Sequence, residues 1–366
     1  MTQPDQHASS QAIASATPPS LAPPSLSIVI VNYRTPDLTM ACVESLTVQR
    51  GEVGPFDVIV VDGGSGDGSA EKLSAHFSAP PWSDWVSVLP LDFNGGFGWA
   101  NNQAMLRLLQ RDVPPTYIHL LNPDTVAEPG AIAALLAVID INPAIGAVGS
   151  QLIEPDGSRA GSAFRFPSAG REFLRGVGLG GLGSKIGIAP TLIEHDVPGP
   201  AEWITGASMM FRSEALRQTG LFDDGFFLYF EEVDLMHRMT RAGWAMWSAP
   251  ASRVMHIGGA ATGVLSGAQT AVRALPAYRY EARRRYFVRA NGVTGLAAAN
   301  LAWLAGKMLG LPLRLLRGKG DAGPPRELPM TIRHCFWPTN RDRHASIPRW
   351  DEPPGRPPAW TKAQTR

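Results

Sequence analysis

The sequence predicts an α/β fold in which a mostly parallel sheet is flanked by helices. From Leu26 onward, short β-branched runs alternate with helical segments, a pattern typical of a parallel sheet wrapped by helices. The chain has 366 residues, of which 44% are apolar, enough for one large domain with a buried core and an appendage. Polar residues follow four successive predicted strands, where open parallel sheets bind their ligands.

The elements are predicted in the following order. The strands are residues 27–32, 57–62, 85–89 and 116–121, and the helices between them are residues 36–49, 68–77 and 98–111. Glycine and proline are frequent in residues 160–200, which predicts a long irregular excursion over the sheet. A strand at 203–211, a helix from about 230 to 243 and two helices within 277–316 complete the prediction.

Charge is distributed unevenly along the chain. Residues 1–272 carry 15 Lys and Arg against 26 Asp and Glu, whereas residues 273–366 carry 18 against 6. A basic tail of this kind suits an anionic membrane surface or a phosphate-bearing acceptor, and no motif supports nucleic acid as a partner. Cys42 and Cys335 match no metal-ligand spacing, which excludes a zinc knuckle and indicates a reducing compartment.

Two residues are candidate ligands of a divalent cation. Asp124 follows an apolar strand and offers the hard oxygen that Mg²⁺ or Mn²⁺ prefers, although it could instead cap the helix that follows. His256 follows a short apolar run and could bind the same ion, or be structural. The glycine cluster at 63–68 does not spell GxGxxG, because Ser69 stands at the last glycine position, so a dinucleotide fold is disfavoured.

An acidic cluster follows the aromatic run at 226–230. On a helix, Glu232 falls on one stripe with Leu235, Met236 and Met239, and apolar surroundings would raise its pKa and make it a competent base. Acids in the first turn of a helix are also favourable for purely structural reasons. Glu231 and Asp234 share a neighbouring face with Arg238, which predicts ion pairs or contacts with acceptor hydroxyls.

In this order, the motifs resemble those of glycosyltransferase family 2, the inverting enzymes of the GT-A fold, and within it the rhamnosyltransferase-like members. The resemblance covers about residues 26–260. It rests on the opening SIVIVNY at 27–33, VVDGGSGDGS at 60–69, NGGFGWANN at 94–102, NPD at 122–124 in place of DxD, WITGA at 203–207, the pair Glu231-Glu232, and HIGG at 256–259.

The resemblance implies a role for each matching residue. The donor-binding residues are Asn32, Tyr33, Asp62, Asn94, Gly96, Phe97, Asn101, Asn102, Asn122 and Asp124. The acceptor-binding residues are Trp203, Thr205 and Gly206, the metal ligands are Asp124 and His256, and the catalytic residues are Glu232, Glu231 and Asp234. Glu232 aligns with the second acid of the family pair and is the preferred base, with Glu231 the alternative.

The resemblance also implies the reaction. We expect an inverting transfer of L-rhamnose from dTDP-β-L-rhamnose to a hydroxyl of a lipid-linked cell-surface glycan, with Mg²⁺ or Mn²⁺ as cofactor. The alternatives are the same family with a UDP-hexose donor and a catalytically silent subunit that binds glycans or nucleotides. A nucleotidyltransferase is disfavoured, because residues 32–35 are not a glycine-rich and basic phosphate loop.

Four regions are expected. They are a disordered leader at 1–25, a GT-A domain at 26–268, a basic and apolar helical segment at 269–320 that associates with membranes, and a Pro/Arg-rich tail at 321–366. Within residues 293–316, Lys307, Pro312 and Arg314 favour lying in the membrane interface over spanning it. Residues 283–285, all arginines, would each add about 1 kcal/mol near anionic headgroups.

The protein is therefore expected in the cytoplasm, peripherally bound to the inner face of the plasma membrane. The alternative for the C-terminal helices is a pair packed on the catalytic domain. An oligomer is compatible with the sequence, which does not decide the oligomeric state.

Overall fold

The computed structural model describes residues 26–178, 182–258, 274–316, 318, 320, 323–358 and 360–361. The predicted leader, residues 269–273 and Gly259 lie outside the described residues. The strands are β1 (Leu26–Asn32), β2 (Asp57–Asp62), β3 (Val86–Pro90), β4 (Tyr117–Leu121), β5 (Thr125–Ala127), β6 (Ile145–Ile153), β7 (Ala163–Phe164), β8 (Leu192–Ile193), β9 (Gly199–Ala201), β10 (Trp203–Ile204), β11 (Ser208–Arg212) and β12 (Ala245–His256). The helices are α1 (Pro36–Val53), α2 (Ser69–Phe77), α3 (Phe97–Leu109), α4 (Ala131–Ile139), α5 (Ala169–Val177), α6 (Leu182–Lys185), α7 (Ser213–Thr219), α8 (Glu231–Arg241), α9 (Ala277–Leu315), α10 (Glu327–Cys335) and α11 (Asn340–Arg343).

A large sheet with the order β3-β2-β1-β4-β11-β6-β12-β5 forms the centre of the fold, and β9 pairs with β12. Strands β1 to β4 are parallel, β11 runs antiparallel between β4 and β6, and β12 is parallel to β6. This arrangement confirms the predicted α/β fold with a parallel half-sheet flanked by helices. It also brings the carboxyl ends of β1, β2 and β4 to one edge of the sheet.

Helices cover both faces of this sheet. Along β1, Ile28 and Ile30 pack into the core under α1, α2 and α4, whereas Val29 points into the core under α3, α7 and α8. This alternation follows the two-residue period of a strand. Each fully buried aliphatic side chain of this kind contributes about 1.5–3 kcal/mol. The sheet is therefore a rigid support for the loops at its carboxyl edge.

The single strand predicted at 203–211 is two strands. Trp203–Ile204 pairs with β7 in a small three-stranded sheet, and Ser208–Arg212 belongs to the large sheet. Between them the backbone N–H of Thr205 donates to the carbonyl of Ser162, and the carbonyl of Ala207 accepts from Asn122. The chain thus crosses from one sheet to the other, a change that its continuous apolar pattern does not reveal.

The excursion at 160–200 is less irregular than predicted, because it contains α5. This helix packs directly on the second half of α9 through glycines on both sides. A Cβ atom added at Gly306 would lie 2.2 Å from the carbonyl oxygen of Phe173, and one at Gly176 would lie 2.3 Å from that of Trp303. The glycines therefore permit backbone contact between the two helices.

The C-terminal helices form the predicted pair, because Gly292 has a φ of +72° and interrupts α9. Arg283, Arg284 and Arg285 do not face a membrane surface, and that expectation is wrong. Their guanidinium groups bind buried carboxylates inside the protein. The partners are Glu172 for Arg283, Asp342 for Arg284 and Asp223 for Arg285.

The described part of the tail packs on the catalytic domain. The carbonyl of Ser346 accepts from the N–H of Asp224, the carbonyl of Pro348 accepts from Leu221, and the indole of Trp99 donates to the carbonyl of Arg356. These contacts reach the segment that leads into α8. The tail is therefore part of the same packed structure as the loops at the carboxyl edge.

Candidate active site

The ends of β1 and β2 are joined by a buried hydrogen-bond cluster around Asp62. Its carboxylate accepts from the Asn32 amide at 2.7 Å, from the Ser65 hydroxyl at 2.6 Å and from the Ser65 backbone N–H at 3.0 Å. Asn32 in turn accepts from the hydroxyl of Thr39. This cluster fixes the turn after β2, so the position of Asp62 is defined before any ligand binds.

Tyr33 follows β1 beside this cluster. The next residue, Arg34, has a φ of +59°, and its backbone N–H donates to the hydroxyl of Ser65. The Arg34 guanidinium lies 5.2 Å from the centre of the Tyr33 ring, within the range of a cation–π contact. Tyr33 is half-buried and stands at the same edge as Asp62.

The loop that begins at Asn94 is tied to the segment before α8. The Asn94 side chain accepts from the N–H of Gly96, and the N–H of Phe97 donates to the carbonyl of Phe227. A Cβ atom at Gly96, whose φ is +89°, would lie only 1.9 Å from that carbonyl oxygen. Any side chain at Gly96 would therefore separate this loop from the segment that carries the acidic pair.

The side chains of Asn101 and Asn102, two predicted donor contacts on α3, are also bound within the protein. Asn101 donates to the carbonyl of Phe97, four residues earlier in the same helix. Asn102 donates to the carbonyl of Phe222 and to the carboxylate of Asp224, and it accepts from the N–H of Phe222. Since both are buried, we expect Asn102 to hold the loop before α8 and Asn101 to bond within α3, rather than either to contact the donor.

Asp124 and His256 lie side by side although 132 positions separate them in the sequence. Strand β12 pairs His256 with Thr125, and Asp124 Oδ1 lies 3.3 Å from His256 Nε2. Asp124 does not cap α4, because that helix begins after Gly130. Asn122 lies two residues before Asp124, and its backbone N–H donates to the carbonyl of Ala207. Among the described residues, no group of three or more His, Cys, Asp or Glu side chains that could hold a metal ion is found.

The acidic pair begins α8 after a strained stretch of backbone. Tyr229 and Phe230 have φ values of +73° and +68°, a conformation that costs non-glycine residues about 1–3 kcal/mol each. Glu231 is 3% exposed, and Oε2 of both Glu231 and Glu232 is inaccessible to solvent without a hydrogen-bond partner among the described residues. Strain and unsatisfied carboxylates at one point are typical of a functional site.

Burial raises the proton affinity of both carboxyl groups of the pair. It raises the pKa of Glu232 to about 7, opposed by backbone N–H groups and by the Arg279 guanidinium. Burial and the negative charge of Glu232 raise the pKa of Glu231 well above its usual value. Each carboxyl group therefore disfavours ionisation of the other, so the pair tends to share one proton. A pair that shares one proton can supply one base and one hydrogen-bond donor.

Asp234 and Glu231 differ in their contacts with neighbouring residues. Asp234 forms the predicted ion pair with Arg238 at 2.9 Å, and Arg238 also donates to the carbonyls of Thr219 and Leu221. The expected ion pair of Glu231 with Arg238 is not found among the described residues. Instead Glu231 packs against the start of α3, where a Cβ on Gly98 would lie 3.5 Å from its own. Through its ion pair with Arg238, Asp234 thus holds the loop that follows α7.

The three predicted acceptor residues lie where the small sheet meets the large one. Trp203 stacks on Phe164 with ring centres 4.4 Å apart, and its indole donates to the carbonyl of Arg165. Gly206 faces the ring of Phe97, so the segment 203–206 adjoins the loop that begins at Asn94.

The sequence did not reveal a group of aromatic and cationic residues beside the acidic pair, which we call the aromatic ledge (Phe227, Tyr229, Tyr278 and Arg279). Tyr229 and Tyr278 are nearly parallel, with ring centres 6.1 Å apart, and Phe227 meets Tyr278 edge to face. The Arg279 guanidinium lies 4.6 Å from the centre of the Tyr229 ring. The signals in the sequence were the aromatic run at 226–230 and the basic character of the tail, which no spacing joins.

A mostly parallel sheet with polar loops at its carboxyl edge, a carboxylate beside an imidazole and a buried acidic pair define a transferase of the GT-A type. The model of glycosyl transferase family 2 matches residues 27–184. The N-acetylglucosaminyl-diphospho-decaprenol L-rhamnosyltransferases of Mycobacterium tuberculosis strains CDC 1551 and H37Rv are both 31% identical over 224 residues, covering 58% of this chain and 68% of theirs. The chain belongs to glycosyl transferase family 2, and it is a glycosyltransferase.

Solved structures confirm the GT-A fold. GalNAc-T7 with UDP, GalNAc and Mn²⁺ has a TM-score of 0.50 at 14% identity, and the match covers 81% of this chain and 56% of that one. The mannosyltransferase PcManGT of Pyrobaculum calidifontis, with GDP-Man and Mn²⁺, has the same score and identity and covers 86% of this chain and 79% of its own. At this identity the likeness concerns the fold alone.

Proposed function

We propose that this enzyme transfers L-rhamnose from dTDP-β-L-rhamnose to a hydroxyl of a sugar linked through diphosphate to a lipid. The observation that carries the proposal is the convergence of Asp62, the pair Asp124–His256 and the pair Glu231–Glu232 at one edge of the sheet. The name of the mycobacterial relatives supports L-rhamnose as the transferred sugar and a diphosphate-linked lipid acceptor. Inversion of a β-linked donor produces an α-L-rhamnoside.

The acidic pair supplies the proton transfer in this proposal. Glu232 takes the proton of the acceptor hydroxyl as that oxygen attacks the anomeric carbon and the bond to the diphosphate breaks. In this proposal Glu231 carries the proton that the pair shares, and it donates a hydrogen bond to a neighbouring oxygen. Asp62 and Tyr33 bind the nucleoside, and the loop from Asn94 closes over the donor. Trp203, Thr205 and Gly206 line the acceptor side.

A divalent cation, Mg²⁺ or Mn²⁺, fits the pair Asp124–His256. A carboxylate and an imidazole 3.3 Å apart suffice for a metal whose other ligands are diphosphate oxygens and waters, and both solved relatives contain Mn²⁺. When bound, the cation neutralises charge that develops on the leaving diphosphate. Asp124 and His256 would hold it at the ends of β4 and β12.

The donor is tested by a screen of thymidine, uridine and guanosine diphosphate sugars. We expect release of nucleoside diphosphate to be fastest with dTDP-β-L-rhamnose, because the NPD and NGGFGWANN motifs resemble those of the rhamnosyltransferase-like branch. A preference for a UDP-hexose would assign the enzyme to another branch of the family. Absence of both donor hydrolysis and transfer with every sugar would favour the silent glycan-binding subunit.

We propose that the enzyme also binds the inner face of the plasma membrane peripherally. Beyond Gly292, one face of α9 packs on α5, while the opposite face is apolar and exposed at Leu301, Met308, Leu315 and Leu316. This helix is long and apolar enough to cross a membrane, but about a third of its most apolar stretch is buried against the rest of the protein. We therefore propose that it lies in the interface, where its exposed stripe contacts lipid.

Helix α10 adds to this surface. It packs on α9 and exposes Leu328 and Ile332, with Trp337 exposed shortly after it. Exposed Arg326 and Arg333 supply the charge that attracts anionic headgroups in place of the buried residues 283–285. Tryptophan and arginine beside an apolar stripe are typical of a membrane interface.

Replacing Leu301, Met308, Leu315 and Leu316 together by glutamine should abolish flotation with vesicles of phosphatidylglycerol and phosphatidylethanolamine. Each side chain inserted fully into lipid contributes about 1.5–3 kcal/mol, so losing even part of this lowers binding well over tenfold. The matched control replaces Val113 and Ile141, which are equally exposed on the catalytic domain, and should float like the natural protein. Equal flotation of all three proteins would exclude the exposed stripe of α9 as the surface that binds the membrane.

A further inference from the structure

Arg279 differs from the other arginines in the first half of α9. Arg283, Arg284 and Arg285 each donate to a carboxylate, whereas the Arg279 guanidinium donates no hydrogen bond to any described residue. It is half-buried and its guanidinium lies over the Tyr229 ring, while no described residue accepts a hydrogen bond from its N–H groups. An ordered guanidinium with unused donors is a binding group for a carboxylate or a phosphate.

The position of Arg279 indicates which anion it binds. It lies in the first turn of α9, where the positive end of the helix dipole adds to its charge, and it is close enough to Glu232 to lower the pKa of that carboxyl. Glu232 is the proposed base, so the acceptor hydroxyl must lie against it. In a sugar linked through diphosphate, one pyranose ring separates the reacting hydroxyl from the anionic group.

The rings of Tyr229 and Tyr278 complete the arrangement. They are half-buried and nearly parallel; Tyr229 lies two residues before α8, and Tyr278 lies beside Arg279 at the start of α9. Aromatic rings present flat apolar faces with polar edges, which suits the alternating C–H and hydroxyl surface of a pyranose. The donor diphosphate is assigned to Asp124 and His256, so Arg279 is available for a second anion.

We propose that the aromatic ledge is the acceptor subsite, in which Arg279 binds the diphosphate of a diphosphate-linked sugar and Tyr229 and Tyr278 support its ring. The proposal rests on the proposed function, and it names the residues that select an acceptor of this class. The helix that follows Gly292 carries the exposed apolar stripe. The two halves of α9 therefore supply the anion-binding group and the surface for the membrane that holds the lipid.

The test compares two acceptors and three variants. The acceptors are prenyl-diphosphate-linked N-acetylglucosamine and the uncharged octyl glycoside of the same sugar, and the variants are Arg279→Gln, Arg279→Lys and the exposed control Arg159→Gln. We expect Arg279→Gln to raise KM for the diphosphate acceptor about tenfold or more, with a smaller change in kcat. KM for the octyl glycoside and the dissociation constant of dTDP should not change. Arg279→Lys should recover part of the loss because it keeps the charge, and Arg159→Gln should match the natural enzyme.

The outcomes separate this proposal from the proposed function. An equal increase in KM for both acceptors would mean that Arg279 only shapes the site, and weaker dTDP binding would mean that it binds the donor. An unchanged KM in Arg279→Gln would also overturn the proposal. If the natural enzyme transferred rhamnose to neither acceptor, that result would contradict the proposed function itself, and with it the acceptor subsite that rests on it.

Discussion

Replacement of Glu232 by glutamine is expected to lower the rate of sugar transfer about 100-fold or more, because general-base catalysis is lost while the shape of the side chain is kept. Donor affinity should be retained, since Asp62 and the pair Asp124–His256 are unchanged. Transfer rates and dTDP affinities of Glu231→Gln and Asp234→Asn, measured beside it, test the assignment. We expect Glu231→Gln to lose less activity, and Asp234→Asn to lose stability because its ion pair with Arg238 is buried.

The pH dependence gives an independent measure of the base. Glu232 must be ionised to accept a proton, and burial raises its pKa to about 7. The value of kcat/KM should therefore fall about tenfold per unit below that pH and reach a plateau above it. Near-normal turnover of Glu232→Gln together with inactive Glu231→Gln would transfer the role to Glu231.

Thermal unfolding of Glu232→Gln at two pH values tests whether the variant is folded. The pKa of Glu232 is 4.5 in its ordinary state and about 7 in the folded protein. Folding therefore favours the protonated form, and the stability that this form contributes is lost as the pH rises through 7. Glutamine does not ionise, so the variant should gain thermal stability relative to the natural protein at pH 8, but not at pH 4.

The sequence predicted the first half of the fold well, for identifiable physical reasons. Strands such as Asp57–Asp62 are continuous β-branched runs that are buried on both faces, and they end at polar residues, so their boundaries were within one residue. The residues alone offered Asp124 and His256 as ligands of one cation, with a structural role for His256 as the alternative, and the family resemblance favoured the shared cation. It depends on the pairing of β12 with β5, which no local pattern specifies.

Long-range contacts account for what the sequence did not predict. Residues 283–285 appear solvent-exposed by composition, yet Arg283 binds Glu172, which lies 111 positions away. The internal role of Asn102 depends on a loop that reaches α3 only in the folded protein, whereas the bond of Asn101 lies within α3. The aromatic ledge unites the segment before α8 with the start of α9, so spacing alone could not reveal it.

The close packing of the tail on the catalytic domain affects how the active site is organised. Asp223 lies just before the aromatic run, where Arg285 of α9 and the backbone N–H of Ser346 both bind its carboxylate. The indole of Trp360 donates to the carbonyl of Asp224. The segment that leads to Glu231 is therefore held from two sides by the C-terminal region, which supports the strained backbone at Tyr229 and Phe230.

Replacement of Asp124 by alanine is expected to abolish donor turnover in the presence of Mg²⁺ or Mn²⁺, a loss of at least about 100-fold, because neutralisation of a leaving group by a metal is worth several kcal/mol. The variant removes the carboxylate of the pair Asp124–His256 and leaves the acidic pair intact. The control Asp84→Ala removes an exposed carboxylate on the same domain and should keep full activity. The measurement is release of thymidine diphosphate from dTDP-β-L-rhamnose.

A binding experiment separates loss of the metal site from loss of the fold. Calorimetric titration of dTDP into the natural protein should give tighter binding with Mn²⁺ than with EDTA, since a cation between Asp124 and the diphosphate favours the complex. In Asp124→Ala the two titrations should coincide at the weaker value, with the thermal stability of the variant unchanged. Full turnover of the natural enzyme in excess EDTA, or Mn²⁺-dependent tightening in Asp124→Ala, would refute the metal site at Asp124 and His256.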